Sequence, residues 1–94
     1  MPRPEKPIDP RSPIADFAID LRASRRKAGL TYQQMVGTAH FSISVLSIAA
    51  SGKNFPTWAV TEAYVGACGE KPQEWRKRWE IARESWRAAK GATA

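Results

Sequence analysis

Acidic charge is scarce in this chain, and one stretch lacks charge of either sign. Nine Asp and Glu stand against fifteen Lys and Arg, a formal net charge of +6 over 94 residues. Between Leu30 and Gly52 there is no Lys, Arg, Asp or Glu. Histidine and cysteine occur once each, as His40 and Cys68. A lone cysteine makes no internal disulfide, which fits a reducing compartment. One His and one Cys do not make a zinc site, which normally takes three or four ligands. As a catalytic pair they would have to be joined by the fold, and no orienting carboxylate is implied for them. Cys68 reads more simply as a small buried hydrophobe. There is no Gly-rich phosphate loop of the P-loop or dinucleotide type. The acid pairs Asp16/Asp20 and Glu80/Glu84 stand four apart beside arginines and read as solvated helix faces. No catalytic residue, cofactor or metal is therefore expected, and the chain is not expected to be an enzyme. The longest apolar stretch, near Ile43 to Ala50, is too short and serine-rich to span a bilayer. The opening MPRPEKPIDPRSP holds no apolar core of a secretory signal, so a cytoplasmic protein is expected.

What is present is an ordinary apolar share of 43%, enough for one small domain, and four tryptophans to enlarge its core. The excess of positive charge favours a polyanionic partner, nucleic acid or an acidic protein surface. Five of the seven prolines lie within residues 1–13, which predicts an extended, flexible arm over residues 1–12. With Arg3, Lys6 and Arg11 against Glu5 and Asp9, it reads either as a solvated tail or as a nucleic-acid arm. Residues 91–94 are expected to form a disordered tail, leaving a domain over 13–90.

Five helices are predicted. The first starts at Ser12–Pro13, a good cap followed by a residue suited to the first turn. Its stripe of Ile14, Phe17, Ala18 and Leu21 faces inward, and it ends at Ala28, with Gly29 left-handed and Leu30 closing behind. Arg22, Arg25, Arg26 and Lys27 fill its last turns, and two readings stay open for them: pairing with the helix dipole, or contact with phosphate. The second helix opens on the capping box Thr31-Tyr32-Gln33-Gln34, with Met35, Val36, Tyr32 and Ala39 as its inward candidates. A tight turn at Ala39-His40-Phe41 follows. Ser42 caps the third helix, Ile43 to about Ala50, which Ser51-Gly52 stops. Thr57 caps the fourth, Trp58 to about Ala67, with Val60, Ala63, Tyr64 and Ala67 on one stripe. Pro72 opens the fifth, which runs to about Ala89 and carries Trp75, Trp79, Ala82, Trp86 and Ala89 on one apolar stripe. Its basic residues lie mostly off that stripe. A core helix with a solvated basic face outweighs a membrane-surface helix.

Two short helices joined by a tight turn, behind another helix, form the helix-turn-helix layout, in which the second helix protrudes into a DNA major groove. Val36 is the small residue at the crossing. Phe41 and Leu46 lock the protruding helix down, and Ser42, Ile43, Ser44, Ser47 and Ile48 project outward. The segments AGLTYQQM, FSISVLSIAASGKNFPTW and CGEKPQEWRKRW, taken in order from about Phe17 to Arg83, resemble the lambda-repressor-like (Xre-type) helix-turn-helix domains of the actinobacterial kind. That resemblance implies an all-α, five-helix domain that binds double-stranded DNA in transcriptional regulation, often as a dimer. The chain departs from it at Ile43 and Ile48, where arginines are usual, at His40, where glycine is usual, and at Lys71, where an Asp or Asn cap is usual.

Base-facing contacts are expected from Gln33, Ser42, Ile43, Ser44, Ser47 and Ile48. Phosphate contacts are expected from Arg22, Arg25, Arg26 and Lys53, because Lys and Arg displace counterions there. Ile43 and Ile48 could touch thymine methyls. The competing reading takes exposed Ile43 and Ile48 as an apolar patch for protein docking or self-association. Helix 5 is a further candidate for a dimer contact.

Overall fold

The computed structural model describes residues 5–91 of the chain. Residues 1–4 and 92–94 lie outside it, and with them most of the expected tail. Five helices follow one another: α1 (Ala15–Ala28), α2 (Tyr32–Ala39), α3 (Ile43–Ala49), α4 (Trp58–Ala67) and α5 (Pro72–Gly91). Among the described residues there is no strand.

Helix starts and stops follow local chemistry, with one exception. At α2, the Thr31 hydroxyl accepts from the Gln34 amide at 3.2 Å, and the Gln34 side chain accepts from the Thr31 amide at 2.8 Å. Ser42 and Thr57 cap α3 and α4 by accepting from Val45 and Val60. Gly29 (φ 71°) ends α1, with Leu30 N–H donating back to the Arg25 carbonyl at 3.2 Å. The exception is the start of α1. Ile14 occupies the cap position without a side-chain bond, and Ser12–Pro13 lie in the turn before it. The Ser12 hydroxyl works both ways: it accepts locally from the Ile14 amide at 3.2 Å and donates to the Gly52 carbonyl at 2.6 Å. A tie across 40 residues is thereby added to the local bond, and the regular helix begins two residues later than Ser12–Pro13 suggests.

The central helix is α4, which packs against all four others. It buries Thr61, Tyr64 and Val65, whereas Val60, Ala63 and Ala67 of the expected stripe are only partly covered. Buried Thr61 is satisfied by donating its hydroxyl to the Thr57 carbonyl at 3.0 Å. Helix α5 lays Trp75, Trp79 and Ala82 on the core, and Trp86 and Ala89 continue the stripe half-covered. Phe55 stacks on Trp79 at 5.5 Å between ring centroids, and the Trp79 indole donates to the Pro56 carbonyl at 3.0 Å. The loop between α3 and α4 is thereby pinned to α5, which fixes where α3 ends.

The described part of the N-terminal segment is engaged with the body. Glu5 meets Arg22, Arg25 and Tyr32, the Lys6 carbonyl accepts from Arg22 at 2.7 Å, and Ile8 abuts Gly52. An extended, flexible arm was expected there from proline content. The partners that seat it lie 16 or more residues away, beyond the reach of a compositional reading.

Candidate nucleic-acid interface

The turn between α2 and α3 depends on His40, which sits left-handed at φ 61° and donates its amide to the Val36 carbonyl at 3.0 Å. It is the one residue other than glycine with positive φ among the described residues. Histidine tolerates this conformation better than most side chains. The turn lets α3 leave α2 at once, and Leu46, Ala49 and Ala50, all buried, hold α3 on the body. Phe41 and Val36 pack partly buried against the same core.

The other side of α3 is open. Ile43, Val45 and Ile48 are 47%, 38% and 48% exposed. Ser42 and Ser44 are exposed and Ser47 is half-buried. The Ser47 hydroxyl turns back to the Ser44 carbonyl at 3.4 Å. At about 100° per residue, Ile43 and Ile48 stand about 140° apart around the axis, on opposite edges of a face centred near Ser44. They are therefore not one patch. Ile48 shares its edge with Val45, and together with Phe55, Pro56 and Val60 they line a shallow apolar notch of about 170 Å³ between α3 and α4. Val45 was missed in the sequence, although counting back three from Ile48 reaches it. Gln33 is exposed on the first turn of α2, and its neighbour Gln34 is spent in the cap.

The four cations expected at phosphates fall into two groups. Arg26 and Lys53 are exposed, and neither has an ion pair among the described residues. Arg22 is buried: it donates to the Ala50 carbonyl at 2.8 Å and to the Lys6 carbonyl, and sits 3.3 Å from the Glu5 carboxylate. Arg25 donates to the Leu30 carbonyl at 2.8 Å, pairs with Glu5 and lies 4.6 Å above the Tyr32 ring. Neither guanidinium is presented outward, because both are turned inward to hold the N-terminal segment, the Leu30 carbonyl and the end of α3, and the buried Arg25 Nε–H has no hydrogen-bond partner. The partner responsible, Glu5, was not foreseen, since an acid in a proline-rich stretch carries no periodic signal.

Within this cluster burial pushes the Glu5 carboxyl up, but hydrogen bonds from Tyr32 and Arg25 and the charges of Arg25 and Arg22 outweigh it and hold it below its ordinary value. Burial and the neighbouring Glu5 raise Tyr32, and burial drives Tyr64, 3.4 Å from the Tyr32 hydroxyl, further up. Cys68 is half-buried, with its thiol raised first by burial.

Among the described residues no group of three or more His, Cys, Asp or Glu is placed to hold a metal ion. No helix of the described chain is long and apolar enough to cross a membrane. Neither a curated protein nor a solved structure matches the chain. A family of helix-turn-helix domains does, over residues 16–79, a span that takes in α1 to α4, the turn at His40 and the start of α5. With that match and the α2–turn–α3 geometry agreeing, the chain belongs to the helix-turn-helix domain family.

Proposed function

We propose that the chain binds double-stranded DNA as a cytoplasmic transcriptional regulator of chromosomal, plasmid or phage functions. Helix α3 enters the major groove, with Ser42, Ser44 and Ser47 as hydroxyl donors or acceptors and Ile43 and Ile48 as apolar contacts to base edges. Gln33 reaches the edge of the site from α2. Arg26 and Lys53 hold phosphates, while Arg22 and Arg25 brace the scaffold. The observation that carries this reading is an uncharged α3, locked beneath by Leu46 and Ala49 and open above, with unpaired cations at the end of α1 and just after α3. Fluorescence anisotropy on labelled duplexes across a salt series tests it. Affinity should fall steeply with salt. Replacing Arg26 and Lys53 together by Ala should weaken all sequences alike and flatten the log–log salt slope by about 2, at roughly 0.9 per phosphate contact. No complex at low salt overturns the proposal.

The notch beside Ile48 favours a second reading, in which α3 docks a protein or a second copy. Ile43→Asp with Ile48→Asp would then abolish self-association or partner capture and leave salt-dependent DNA binding absent from the start.

A further inference from the structure

We infer that the DNA site is recognised through the 5-methyl groups of thymine, read by Ile43, Val45 and Ile48. This rests on the DNA-binding reading above and specifies what its recognition helix selects. The outward face of α3 carries three aliphatic side chains, each 38% or more exposed, around serines, and no charged residue occurs from Thr31 to Ser51. Such a face cannot make the two-pronged hydrogen bonds by which Arg selects guanine or Asn and Gln select adenine.

In the major groove the base edges present donors, acceptors and a single apolar group, the thymine methyl. An isoleucine pressed against a G·C edge strips water from N7, O6 or N4 and returns no hydrogen bond, which costs affinity. Against a thymine methyl the same side chain buries apolar surface on both partners. The charge-free face therefore selects by penalising G·C and rewarding T·A.

Placement sharpens the expectation. Ile43 and Ile48 lie five residues apart, about 7.5 Å along the helix axis, roughly two base steps. They flank Ser44 on opposite sides, so the thymines they meet belong to different base pairs, with a serine hydroxyl over the edge between. On the Ile48 side, Val45, Val60 and Pro56 continue the aliphatic surface into the notch, so a methyl there meets carbon on more than one side. A cytosine methylated at C5 offers the same group, and thymine is the source we assign because it requires no prior modification.

The test selects duplexes from a randomised pool with the full chain, then resynthesises the selected duplex with deoxyuridine for thymine. That change removes the methyl and keeps every hydrogen-bonding group. Affinity should drop about fourfold for each contacted methyl. Ile43→Ser with Val45→Ser and Ile48→Ser should bind the two duplexes equally while keeping native helical circular dichroism. Equal binding of thymine and uracil duplexes by the unaltered chain overturns the inference and leaves DNA binding intact. Affinity that depends on 5-methylcytosine in a pool built with that base, rather than on thymine, overturns the assignment of the source. Selection of no duplex at all overturns the DNA-binding reading itself.

Discussion

Two faces of this domain treat polar chemistry in opposite ways. Around Glu5, Arg22, Arg25 and Tyr32, charge is gathered and covered, and each side chain meets a partner of the same chain, although the buried Arg25 Nε–H is left without one. On α3 charge is absent and the aliphatic side chains are left open. The difference shows that the number of arginines in a basic protein does not measure the positive charge it can offer. Two of the four cations expected at phosphates are used up in holding the N-terminal segment and the α3 terminus. The outward face of α3 itself carries no charged side chain. The charged cluster helps set the position of α3, since the Ala50 carbonyl at its end is held by Arg22.

Changes to the supporting side should act on stability first. The largest effect is expected at Trp79, which is buried, stacked on Phe55 and hydrogen-bonded to Pro56. Trp79→Ala should cost about 3–5 kcal/mol, read as a shifted midpoint in urea unfolding. In a domain this small that loss should leave much of the population unfolded.

Next comes Arg22→Ala, which leaves the Ala50 and Lys6 carbonyls and part of the Glu5 carboxylate without a donor. About 3 kcal/mol is expected, toward the low end for a broken buried pair because Arg25 still holds Glu5. An unchanged urea midpoint would show that the cluster does not support α3.

A smaller effect should appear with pH. Glu5 has its folded pKa below the ordinary 4.5. Its ionised form therefore stabilises the fold in full above about pH 4.5 and loses that contribution as pH falls through the lowered value. Glu5→Gln should make the fall in melting temperature on acidification shallower than in the parent. Parallel acid profiles would show that Glu5 is not coupled to folding. The smallest effect on stability should come from Ile48→Ser, about 1 kcal/mol or less, because the side chain is already 48% exposed and lines only the open notch beside Val45.

Much of the fold was legible from local rules. Capping at Thr31, Ser42 and Thr57, the left-handed stop at Gly29 and the tryptophan stripe of α5 all depend on residues within a turn or two of one another. The misread details have non-local causes. Ser12 added a tie to Gly52 to its local bond with Ile14, and Arg22 turned inward to Ala50 and Lys6. On α4 the inward stripe shifted to Thr61 and Val65, because a helix touching all four others buries more than one face. At the site, the serines and isoleucines of α3 could be named from the turn and its spacing. Their division into two edges, and Val45's share in one of them, required the angle about the axis.

The central claim, that α3 offers its aliphatic and serine face to a DNA groove, is most directly tested by following methyl resonances during titration with a selected duplex. The methyls of Ile43, Val45 and Ile48 should shift and show contacts to the DNA, while those of buried Leu46 and Met35 stay nearly in place. Shifts confined to α5, or to the Glu5–Arg25 cluster, with α3 silent, would contradict the account.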